Sequence, residues 1–169
     1  DARDTCEGLR NRDSVRAYRP DPVPDELLQQ VLEAARLAPT ACNRQPFVLH
    51  VLPTAGKEAA LRRIYPRDWF IAPPYVIAVS ALTGPAWARK DGKSYAEVDA
   101  TIAFDHLILA AAALGLGTCW IGAFDPDAAR AVLGLGPDEQ PLAFTPLGWP
   151  ADLPRTKQRK PLSELVRQR

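Results

Sequence analysis

Between Ala96 and Leu114 the residues Ile102, Ala103, Phe104, Leu107, Ile108, Leu109 and Ala110 to Ala113 are apolar on nearly every side of a helix. A helix apolar all round has to be enclosed, so whatever fold this chain adopts must wrap this segment, with Gly115 as its stop. At 169 residues the chain makes one domain, residues 1–169, large enough to bury about two thirds of its unfolded surface around such a helix. With 47% hydrophobic and 24% charged residues, a mainly disordered state is excluded.

The segments on either side supply the wrapping. Leu27, Leu28, Val31, Leu32, Ala35 and Ala38 fall at helical spacing, with Pro24 suited to the first turn and Pro39 as the stop. Residues 47–52 and 75–81 are short β-rich apolar runs, read as buried strands, with a short helix over 55–65 between them. Residues 83–95 are polar and read as a mobile loop. Residues 117–122 read as a third strand, Asp125 caps a helix over 126–133, and residues 142–147 form a fourth strand. Strands and helices alternate, so the class is α/β or α+β, and 17 prolines at element boundaries make the connections stiff.

Several function classes drop out. Cys6, Cys42 and Cys119 are odd in number and widely spaced, which speaks against a disulfide framework or a zinc site; Cys42 and Cys119 are expected to be buried core thiols, and no metal ligands are expected. His50 and His106 are expected to be hydrogen-bonded or buried rather than catalytic. No run of eighteen apolar residues occurs and the charged start has no leader-like segment, so the expectation is a cytoplasmic protein without a membrane partner. Net charge is +1, yet residues 151–169 carry six basic side chains against Asp152 and Glu164. That balance suits a small anion better than nucleic acid.

Arg12, Ser14 and Arg16 alternate, so an extended backbone sends all three to one face. Two guanidinium forks and a hydroxyl match phosphate oxygens, although surface charge is the plainer reading. Lys157 and Arg159 repeat the alternation, and a returning tail would add cations to the same anion. Pro39 to Pro46 packs hydroxyl and amide residues between a helix end and a strand, where they could bond a planar heterocycle or simply cap a turn. Gly115-Leu116-Gly117 follows a helix and precedes a strand, the reverse of a dinucleotide fingerprint. No catalytic triad, metal set or phosphate loop with a Lys appears, so the chemistry points to a borrowed cofactor.

These features, in this order, resemble the FMN-dependent nitroreductase family. The motifs are Arg12-x-Ser14-x-Arg16 with Tyr18, Pro39-Thr40-Ala41-x-Asn43-x-Gln45-Pro46-Phe47, Asp99-x-x-Ile102-Ala103, Leu114 to Gly122, Leu147-Gly148-Trp149-Pro150 and Arg159-Lys160-Pro161-Leu162. The resemblance implies an α+β, three-layer fold with a central, mainly antiparallel sheet flanked by helices, and a homodimer holding FMN at the subunit interface. It implies that Arg12, Ser14, Lys157 and Arg159 contact the phosphate and ribityl chain and that Arg16 approaches the flavin pyrimidine. Pro39, Thr40, Ala41 and Asn43 would reach the flavin from the other subunit, and the backbone at Ile121, Gly122 and Ala123 would line its ring. The implied activity is ping-pong hydride transfer from NADH or NADPH through flavin N5 to a small acceptor such as a nitroaromatic or quinone, with no dedicated catalytic side chain. The alternatives are a non-catalytic flavin-binding redox sensor, or a specialised member acting on its own flavin or on a halogenated aromatic. Trp87 or Arg89 of the 83–95 loop would lie over the flavin face.

Overall fold

The apolar segment is a helix, Ala96–Ala113, packed on two sides, but the expectation of complete enclosure needs correction: Glu97, Val98, Thr101 and Asp105 leave one stripe exposed in the single chain. Val31 and Ala35 of the helix Asp25–Arg36 pack on it from one side, and the sheet residues Ile77, Val79, Ala143 and Leu147 from the other. The computed structural model describes residues 2–169, with side chains from Glu7 onward, so Cys6 lies outside the described side chains. In chain order the elements are α1 (Ala2–Asn11), α2 (Asp25–Arg36), a 3-10 turn (Ala41–Asn43), β1 (Phe47–Pro53), α3 (Glu58–Ile64), α4 (Asp68–Ile71), β2 (Tyr75–Leu82), α5 (Ala96–Ala113), α6 (Pro126–Leu133), β3 (Glu139–Leu147) and α7 (Leu162–Leu165).

The three strands form an antiparallel sheet in the order β1-β2-β3. Phe47 faces Ala81 and Pro53 faces Tyr75, while Tyr75 faces Leu147, with a bulge between Val79 and Ser80. Alternation along the strands separates two cores. Ile77 and Val79 pack toward α2 and α5, whereas Val76 and Ala78 join Leu61, Ile64, Phe70, Ala129 and Phe144 beneath α3, α4 and α6. Helices therefore cover both faces, which gives the three-layer α+β arrangement. Asp125 caps α6 by accepting the Ala128 N–H at 2.9 Å, and Gly134 ends it with φ 67°.

Two further expectations need correction, and one helix goes beyond the sequence reading. Residues 117–122 do not form a strand; they make isolated bridges from Gly117 to Gly148 and from Ile121 to Phe144. The reason is local: between them the Cys119 N–H turns to the Thr145 hydroxyl at 2.9 Å, so a side chain interrupts the ladder. Residues 83–95 are a tied turn rather than a free loop, closed by a bridge from Ala88 to Ser94 and by Trp87 stacked edge-on against Tyr95 at 5.0 Å. Helix α1 was not anticipated, because the charged start carries no apolar stripe to announce it.

Candidate functional site

After α1 the chain runs extended beside residues 117–121. The Val15 N–H donates to the Thr118 carbonyl at 2.8 Å, and Val15 is buried so closely that a Cβ on Gly117 would meet it at 3.0 Å. Alternation then turns Ser14 and Arg16 to the opposite face from Val15. That face borders the Cys119 thiol, which is 4% exposed. Burial pushes the thiol up from its ordinary range, and Arg16, Ser14 and Arg12 pull against it. Among the described residues no carboxylate pairs with the Arg12 or Arg16 guanidinium.

The tail does return to this segment. The Asp13 carboxylate accepts the Arg155 N–H at 2.8 Å and the Ser14 N–H at 2.8 Å. The Arg155 contact is the main reason its carboxyl stays below the usual range, with Lys157 and Arg12 adding to it. The Lys157 ammonium donates to the Arg10 carbonyl, and the Arg16 N–H reaches Asp152 at 3.4 Å. Lys157 is thus tied to the end of α1, two residues before Arg12. Arg159 is not brought in, since its guanidinium donates to the neighbouring Gln158 carbonyl at 2.7 Å.

The second half of the expected site is a strained turn. Cys42, Asn43 and Gln45 hold φ of 52°, 51° and 52°, a left-handed conformation that costs non-glycine residues about 1–3 kcal/mol each. It persists because the turn is tied from several sides. The Thr40 hydroxyl accepts the Gln45 N–H at 3.0 Å, the Gln45 amide donates to the Asn43 carbonyl at 3.1 Å, and Asp99 of α5 accepts the Ala41 N–H at 3.1 Å. Asp99 is 2% exposed and its second oxygen has no partner among the described residues. The turn leaves Asn43 exposed and Thr40 and Ala41 half-buried. Cys42 is exposed as well, which corrects the expectation of a core thiol; the left-handed backbone carries it outward.

Ile121 is buried and pairs with Phe144, whereas Gly122 has open space where a Cβ would stand. Both histidines are hydrogen-bonded, as expected. His106 donates from Nδ1 to the Ile102 carbonyl at 2.9 Å, and His50 lies 2.9 Å from the Ser80 hydroxyl and 3.2 Å from the Glu139 carboxylate. Arg89 is engaged with Asp91 at 2.7 Å. Two residues near these features escaped sequence reasoning: Asp99, quoted only as part of a motif, and Trp69, whose ring lies under the Arg16 guanidinium.

Within one chain the two halves stay apart. The sheet order β1-β2-β3 is continued by residues 117–121 on β3 and by Ser14 on Thr118, while the 40–45 turn feeds β1 at the far edge. Four strand spacings of about 4.8 Å put the halves roughly 19 Å apart across the sheet. A cavity of about 430 Å³ lies on the other side of the 12–16 segment, lined by Asp13, Val15, Gly117 and Asp152, and takes in neither half.

Comparison with known proteins decides the family. The model of the nitroreductase family matches residues 9–69 and 58–149. The chain belongs to the nitroreductase family. A relative in Thermus thermophilus described as NADH dehydrogenase is 31% identical over 92% of this chain and 91% of its own. A Bacillus subtilis protein described as FMN reductase [NAD(P)H] is 29% identical over 94% of this chain and 70% of its own. Among solved structures, a nitroreductase family protein from Clostridium difficile superimposes with a TM-score of 0.86 at 34% identity, covering 95% of each chain. In this member of the family the donor set suits a phosphate-bearing cofactor such as FMN: the Arg12 and Arg16 guanidinium groups carry no carboxylate among the described residues, and the Ser14 hydroxyl stands between them in the chain.

Proposed function

We propose that this nitroreductase is a homodimeric FMN enzyme that takes hydride from NADH or NADPH and passes electrons to a small acceptor such as a nitroaromatic or quinone, by a ping-pong route. It is an NAD(P)H-dependent oxidoreductase in which the flavin, when bound, supplies the hydride chemistry at N5. What supports this reading is the alternation that sends Ser14 and Arg16 to one face of the segment beside Thr118, the absence of a carboxylate on the Arg12 or Arg16 guanidinium among the described residues, and the tail that returns Lys157 to the Arg10 carbonyl. Arg12, Ser14 and Lys157 bind the phosphate and ribityl chain, with Arg159 recruited by rotating away from Gln158.

Arg16 faces the pyrimidine, where its charge offsets the negative charge that builds up on reduction. Pro39, Thr40, Ala41 and Asn43 come from the second copy, because the 40–45 turn sits on the wrong edge of the sheet to serve its own chain. The backbone at Ile121, Gly122 and Ala123 borders the ring. The protein's part is positioning and electrostatics, and solvent supplies the proton.

The test is the visible spectrum of the purified protein, followed by anaerobic addition of NADH and then NADPH. A flavin band that bleaches is the expected result. A protein that cannot be loaded with FMN rejects the reading, and so does an Arg12→Ala/Arg16→Ala variant that retains flavin like the parent.

A further inference from the structure

The Arg16 guanidinium, the cation assigned to the pyrimidine, has no carboxylate partner among the described residues, and its side chain is exposed. An arginine in that state samples many rotamers, so something other than an ion pair must aim it. Its carbon Cζ lies 5.9 Å from the centroid of the Trp69 ring, within the reach of a cation–π contact.

Trp69 is itself braced. It sits in the four-residue helix α4, its ring meets Tyr65 edge-on at 5.6 Å, Tyr65 meets Phe70 at 5.5 Å, and Phe70, fully buried, meets Phe144 at 6.3 Å. The chain of rings ties the seat of the guanidinium to the second core.

We propose that Trp69 is a positioning residue that holds the Arg16 guanidinium over the pyrimidine end of the flavin site and so tunes the reduction potential of the bound cofactor. The inference rests on the assignment of that site to FMN. Removing the ring frees the charge to move into water, where it stabilises the reduced flavin less, while the phosphate contacts at Arg12, Ser14 and Lys157 stay in place.

The experiment compares FMN-loaded parent, Trp69→Leu, Trp69→Phe, Arg16→Ala and the Arg16→Ala/Trp69→Leu double variant by flavin midpoint potential and FMN dissociation constant. The expected result is a lower potential in Trp69→Leu with FMN binding only about two- to fivefold weaker, restoration by Trp69→Phe, and a double variant no lower than Arg16→Ala. Trp69→Gln, tolerable at a half-exposed position, repeats the test if Trp69→Leu does not fold. A parent potential in the ring-deleted variants, with Arg16→Ala still lowered, overturns the role of Trp69 and leaves the flavin site standing. An unmoved potential in FMN-loaded Arg16→Ala overturns the role of Arg16 and of Trp69 with it while leaving FMN binding in place, whereas a parent protein that binds no FMN removes the flavin assignment and the proposal together.

Discussion

Single positions separate packing from function most sharply at the glycines. A Cβ at Gly148 would stand 2.6 Å from the Pro73 Cβ and 3.2 Å from the Pro74 Cδ, neither of which is the end of a flexible chain. Gly148→Ala should therefore cost about 1–3 kcal/mol in urea unfolding, the range for an overpacked site. Gly122→Ala meets nothing within 4 Å, so its stability should match the parent while its FMN affinity falls; unchanged affinity would take Gly122 out of the ring contact. The thiols divide in the same way. Exposed Cys42 should alkylate well before Cys119, whose burial holds it protonated, and mass mapping of a brief iodoacetamide pulse reads the order. Asp13 carries the residue-scale pH effect. Its folded carboxyl titrates below the ordinary value of 3.8, so its contribution is complete above that value and is lost as pH falls through the lower folded one. Asp13→Asn should flatten the acid limb of the stability curve below about pH 4 and loosen residues 155–169 to limited proteolysis.

At the scale of elements, the 40–45 turn and the start of α5 act as one unit. The left-handed residues Cys42, Asn43 and Gln45 would relax if released, and the Asp99 carboxylate holding the Ala41 N–H is the tie from outside the turn. Asp99→Ala should lose about 1.5–3 kcal/mol, as for a hydrogen bond to a charged group, and Asp99→Asn less because it keeps an acceptor. Equal losses in both variants, measured by chemical denaturation, would show that the charge near the α5 N-terminus matters rather than the hydrogen bond. Helices α2, α5 and α6 were readable because their signals are local: apolar spacing, a proline or glycine stop, and an Asp cap. Residues 117–122 were misread because strand-like composition says nothing about where each N–H goes, and the Cys119 N–H goes to Thr145. The turn at 83–95 was misread because polarity suggests solvent, whereas Trp87 packs on Tyr95.

For the whole molecule, two half-sites about 19 Å apart on opposite sheet edges predict a site completed by a second copy. An Arg12→Ala/Arg16→Ala chain and a chain altered at Thr40 and Asn43 should each hold FMN poorly. After unfolding and co-refolding, random pairing should restore about a quarter of the parent's flavin sites, because half of the dimers are mixed and each has one intact site. No recovery, or a protein that sediments as a monomer with FMN bound, would reject shared sites. Tail residues Leu162, Leu165 and Val166 are exposed in the single chain, and their accessibility to proteases should fall on dimerisation.

Pattern was enough to name the apolar helix, a class of α/β or α+β and the alternation of Arg12, Ser14 and Arg16, and motif order gave the family and, through it, the antiparallel three-layer class, because each depends on neighbours close in sequence or on motif order. Four things waited for the folded chain: the return of Lys157 to the Arg10 carbonyl, the exposure of Cys42, the Asp99 tie and the Trp69 seat for Arg16. Each joins residues that are distant in sequence or depends on a backbone twist set by such a join. A one-dimensional string records which side chains are able to pair; the sheet order and the packing of α4 and α5 choose which of them meet.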